Sequence, residues 1–82
     1  MSTVRRFISK YRKGNDRPET EEIDVSNVSL QILQSIFGQP ETELMYAVYP
    51  INSRHAKALQ QHISVPLETK EFDYFLEAEE VK

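Results

Sequence analysis

Carboxylates recur at alternate positions near the end of the chain: Glu71, Asp73, Glu77 and Glu79 share one parity with Phe75 at their centre. In a strand these side chains project from one face at intervals of about 6.6 Å or its multiples, a spacing compatible with acid–base or glycosidase chemistry. That chemistry also requires one carboxyl in a desolvating cleft, and a chain of 82 residues has little capacity to enclose one. Recognition of a basic partner, with Phe75 and Tyr46 as apolar anchors among the acids, is the reading these residues favour. The alternate positions Phe72, Tyr74, Leu76 and Ala78 supply the core face of the same strand.

The other residue types able to do chemistry narrow the field further. His55 and His62 stand seven apart on a predicted helix, about 10 Å along its axis, too far to chelate one metal ion. Neither Gly14 nor Gly38 belongs to a phosphate-cradling loop or a dinucleotide fingerprint. There is no cysteine, which excludes thiol nucleophiles, thiolate metal sites and a disulfide framework. No catalytic residue, metal site or cofactor is expected.

The basic segment at the other end of the chain has two readings. Arg5, Arg6, Lys10 and Arg12 interleave with Phe7 and Tyr11, as in platforms for single-stranded nucleic acid. Alternatively Phe7 and Tyr11 face the core, while Arg6, Lys10 and Arg12 are exposed and meet acids on neighbouring strands. Charge favours the second: residues 1–17 carry six bases against one acid, whereas the remainder carries twelve acids against four bases and repels a phosphate backbone. Whether the C-terminal carboxylates form an open patch depends on whether the first strand lies beside them and neutralises them.

The elements that must position these groups follow from periodicity. Residues 3–13 read as a strand, 14–18 as a turn and 19–25 as a polar edge strand. From Ser26 the apolar spacing becomes helical through Val28, Leu30, Leu33, Ile36 and Phe37, with Ser26 or Ser29 as N-cap and Gly38 as the stop. After a polar loop, residues 44–49 read as a central strand because they are almost continuously apolar. Asn52 or Ser53 caps a second helix over 54–63, with Ala56, Leu59 and Ile63 inward, and the final strand occupies 71–80.

The prediction is a single domain spanning 1–82, of class α+β: a two-layer α/β sandwich in the order β-β-α-β-α-β, with a four-stranded mixed sheet and two helices on one face. Right-handed crossovers permit strand orders 2-1-3-4 and 1-2-3-4 alike. Hydrophobic and charged fractions of 39% and 28% are those of a soluble globular domain. No apolar run approaches a membrane span or the length of a signal sequence, and with the missing cysteines this points to a cytoplasmic setting.

The pattern Leu33-Gln34-Ser35-Ile36-Phe37-Gly38, then Met45-Tyr46-Ala47-Val48-Tyr49-Pro50-Ile51, a histidine-containing helix and Phe72-Asp73-Tyr74-Phe75-Leu76-Glu77 resembles a group of small bacterial proteins similar to the immunity proteins of contact-dependent inhibition and bacteriocin systems. The resemblance implies a cytoplasmic protein of bacterial competition that binds a cognate toxin domain, often a basic nuclease, and blocks it without catalysis. A monomer or weak homodimer with no membrane, metal or nucleic-acid partner is the corresponding expectation. The alternative is a nucleic-acid-binding module using the basic N-terminal hairpin.

Overall fold

The computed structural model describes residues 3–14 and 21–81. Its elements run β1 (Thr3–Arg12), β2 (Ile23–Asp24), α1 (Leu30–Ile36), β3 (Tyr49–Ile51), α2 (Ser53–Leu59) and β4 (Phe72–Val81). This is the α+β layout expected from the periodicities. Most of the expected turn over 14–18, and the start of the second strand, lie outside the described residues.

The sheet departs from expectation in direction and order. It is antiparallel throughout rather than mixed, and its order is β2-β1-β4-β3, neither of the two foreseen. The two ten-residue strands, β1 and β4, pair along their whole length in the middle. Equal length and opposite charge favour this partnership, since the register sets Arg5 opposite Glu79 and Lys13 just beyond β1 pairs with Asp73. The helices therefore do not act as parallel crossovers.

Both helices contribute to one core beneath the sheet. Ile8 of β1, Phe72, Tyr74 and Leu76 of β4, Leu33 of α1, and Ala56 and Leu59 of α2 belong to a single buried cluster with Val25, Val28, Phe37, Met45 and Ile51. Ile8 faces Leu76 in the register, and both are almost fully buried. The β1 face expected to be exposed, bearing Arg6, Lys10 and Arg12, is thus the helix-side face. Phe7 and Tyr11 project to the opposite side. Register explains the reversal: β4 has the stronger apolar alternation, and the β1 residues that share its core parity include two long cations whose charged ends lie over the Phe72 ring.

The helix ends follow the sequence closely. Ser29 Oγ accepts from the Ile32 N–H at 3.2 Å and caps α1, and Gly38 follows its end with φ +65°, a conformation that glycine adopts without a Cβ penalty. Asn52 caps α2 in a box completed by the His55 side chain. α2 stops earlier than its apolar stripe, and Gln60 then bridges the following loop, donating to Val65 O and accepting from Leu67 N–H.

Residues 44–49 are not the central strand expected of them. Met45 takes a left-handed φ of 57° and drops its side chain into the core, interrupting the extended run, while Leu44, Tyr46 and Val48 are exposed. The actual β3 contains Pro50 and lies at the sheet edge, where a residue without an N–H is tolerated. The buried Gln34 amide holds the preceding loop by donating to Glu41 O at 3.2 Å and Glu43 O at 2.7 Å. Gln34→Ala leaves both carbonyls without that donor and should destabilise the domain by about 1–3 kcal/mol in urea unfolding. A change below 0.5 kcal/mol would show that water replaces the amide with little loss.

Candidate protein-binding surface

On the sheet face away from the helices, β1 presents Arg5, Phe7, Ser9 and Tyr11, followed by Lys13. β4 presents Asp73, Phe75, Glu77 and Glu79, preceded by Glu71. The basic and acidic sets interlock. Arg5 contacts Glu79 and Glu22, each at 2.8 Å, and Lys13 contacts Asp73 at 2.8 Å. Hydrogen bonds donated to Glu22 and then to Glu79 raise the Arg5 pKa above its usual value, so this cation stays charged at every ordinary pH. The acidic strip is therefore neutralised at Asp73 and Glu79, whereas Glu77 and Glu71 have no ion-pair partner among the described residues.

The aromatic residues of this face are also occupied. Tyr11 and Phe75 meet edge to face with centroids 5.4 Å apart. The Arg5 guanidinium lies 4.4 Å from the Phe7 ring, and Phe7 is buried although it is outside the main core. At the rim, the Ser26 hydroxyl and then its backbone N–H hold the Asp24 carboxyl below the usual range. This shapes the turn leaving β2.

Tyr46 does not join Phe75. It sits on the helix side of the sheet, where the Arg6 guanidinium is 5.9 Å from its ring and donates to Leu44 O at 2.7 Å. Together with Val4, Ala78, Glu79 and Glu80 it lines a shallow depression of about 300 Å³. Leu44, Tyr46 and Val48 are 47%, 57% and 56% exposed, three large apolar residues within five positions. This surface escaped the sequence reading because an apolar run reads as buried; Pro50 was the signal that the run reaches an edge.

The cations of the nucleic-acid alternative are divided between faces. Arg5 lies on the open face, and Arg6, Lys10 and Arg12 lie on the helix side. Lys10 Nζ is 4.0 Å, and the Arg12 guanidinium 5.3 Å, from the Phe72 ring centroid. Among the described bases, Phe7 and Tyr11 thus share a face with Arg5 and Lys13, both paired with carboxylates. Stacked bases would find no interleaved row of aromatics and free cations there.

The histidines have structural surroundings. His55 Nδ1 accepts from the Asn52 N–H, and its ring lies 4.3 Å from that of Phe37. The His62 carbonyl accepts from the Asn27 side chain at 3.5 Å, and the His62 side chain is on the surface. Among the described residues no group of three His, Asp or Glu is placed to hold a metal ion, and no helix is long and apolar enough to cross a membrane.

No curated protein and no solved structure matches the chain. One family does, over residues 5–77, from the Arg5 that ties β1 to β4 through to the unpaired Glu77. With nearly the whole fold covered, the chain belongs to the family described as domain of unknown function DUF7683.

Proposed function

We propose that this domain is a non-enzymatic binding protein of bacterial competition, an immunity protein that holds a cognate toxin domain in the cytoplasm and blocks it. The observation that carries the reading is the exposed apolar row Leu44, Tyr46 and Val48, with Tyr46 sharing a depression with Glu80. A cluster of large apolar side chains rimmed by charge matches the composition of protein-binding hot spots, with the acids speeding encounter with a basic partner such as a nuclease. Of the residues suited to partner contact by sequence, Tyr46, Glu77 and Glu71 remain free to serve. Asp73 and Glu79 are engaged by Lys13 and Arg5, and Phe75 by Tyr11.

The reading is tested by co-expressing the chain with any toxin domain that a neighbouring reading frame encodes. Growth should be restored and the two purified proteins should bind at a one-to-one ratio, with association slowed by salt. Unrestored growth without complex formation would remove the immunity role. Tight, salt-sensitive binding of single-stranded RNA or DNA in fluorescence anisotropy would favour the basic hairpin as the functional surface instead.

A further inference from the structure

The two edges of β4 have different fates. Along one edge every residue of β4 pairs with β1, but along the other only Tyr74, Phe75 and Leu76 pair with β3. Backbone N–H and C=O groups of an antiparallel strand alternate between its two sides. The Lys13 N–H donates to Glu71 O at 3.3 Å, so the odd-numbered residues of β4 bond towards β1 and the even-numbered ones point the other way. Ala78 and Glu80 consequently present their N–H and C=O groups beyond the end of β3. Among the described residues no backbone group pairs with them from that side.

This edge differs from the other margins of the sheet. The outer edge of β3 is guarded by Pro50, whose missing donor falls at the outward-pointing position between Tyr49 and Ile51. The edge strand β2 is only two residues long. Beside Ala78 and Glu80, by contrast, β3 does not continue, and Tyr46 forms one wall of a depression with Val4.

We infer that the β4 edge at Ala78 and Glu80 takes up an extended, basic segment of a partner protein as a fifth strand. The inference rests on the protein-binding reading above and specifies its geometry. An added strand would direct alternate side chains to opposite faces. One set would enter the depression formed by Val4, Tyr46 and Ala78 and is best apolar; the other would lie beside Glu77, a β4 carboxylate without an ion-pair partner among the described residues, and is best Lys or Arg. A second copy of the chain is a poor occupant, because each antiparallel register of this edge with itself sets like charges opposite each other: Glu77 against Glu79, Glu79 against Glu79 or Glu80 against Glu80.

The probe is an acetylated, amidated heptapeptide alternating Lys and Val, titrated into the isotope-labelled full chain. Saturable amide shifts are expected at Ala78, Glu80 and Tyr46, with exchange of the Ala78 and Glu80 amides slowed about tenfold at saturation. N-methylation of the peptide valines, which would face Ala78 and Glu80 across the new ladder, should abolish the effect, and N-methylation of its lysines should not. Ala78→Pro removes only an outward N–H and should weaken binding about tenfold without loss of the β1 ladder, as read from the amide spectrum.

Non-saturating shifts, or indifference to valine methylation, would overturn the inference. So would protection of the same amides by raising the protein concentration alone, which would give the edge to a second copy. The two levels of the account fail separately. Toxin neutralised while Ala78 and Glu80 still exchange freely rejects the edge and keeps the immunity role; peptide bound at the edge by a chain that neutralises no toxin does the reverse.

Discussion

Leu76→Ala is expected to lower the unfolding free energy by about 2–5 kcal/mol. Leu76 is 1% exposed, sits between Ile8 of β1 and Tyr49 of β3, and belongs to the one cluster that both helices help to build. A cavity there removes contacts from three strands at once, and close packing limits how far the neighbours can collapse into it. A domain of this length has a total stability of roughly 4–12 kcal/mol at typical values per residue, so the substitution removes a large share of it. Urea unfolding followed by circular dichroism should show a lower midpoint with little change in slope. Val48→Ala, at a surface position, should stay within about 0.5 kcal/mol. Equal effects from the two substitutions would contradict the placement of the core.

Tyr46→Ala should act on binding rather than on folding. Tyr46 is 57% exposed, and its intramolecular contact is the Arg6 cation at 5.9 Å, an interaction worth about 0.5–1 kcal/mol at an exposed site. As the aromatic centre of the exposed row it should contribute about 2 kcal/mol or more to a complex, so its truncation should weaken affinity for the toxin domain roughly 30-fold. The loss should appear mainly as faster dissociation. Calorimetric titration of parent and variant against the same toxin domain measures it, with thermal unfolding as the control for fold. Unchanged affinity would move the contact surface elsewhere on the domain.

The local elements were legible because each is written in a short stretch of chain. The alternation Phe72, Tyr74, Leu76 marks the core face of β4, and Ser29, Gly38 and Asn52 mark helix ends by chemistry that needs no distant partner. The orientation of β1 was not legible in the same way. Its two faces carry similar apolar weight, Val4 and Ile8 against Phe7 and Tyr11, and the choice between them is made by pairing with a strand more than sixty residues away. Aromatics normally argue for burial, yet here Phe7 is buried on the far face under an arginine and Lys10 lies over a core aromatic.

The candidate site was legible only in part, for a related reason. The carboxylates of β4 form one row in the sequence, but the antiparallel partner strand neutralises Asp73 and Glu79 and leaves Glu77. The exposed row at 44, 46 and 48 looked like core because its five positions are all apolar. What exposes them is a left-handed Met45 and an edge-bound Pro50, a backbone event and a topological one that hydrophobicity does not encode. Strand order thus decided both which charges remain available and which apolar residues face water.

Partners are proposed to meet the domain at the end of the sheet where Tyr46 adjoins the unpaired edge of β4. Amide hydrogen exchange of the full chain, free and bound to the proposed toxin partner, tests this placement. Protection is expected to concentrate at residues 44–48, Ala78 and Glu80, with Asp73 and Phe75 little changed. Protection confined to the open face around Tyr11, Asp73 and Phe75, with residues 44–48 exchanging as in the free protein, would contradict it.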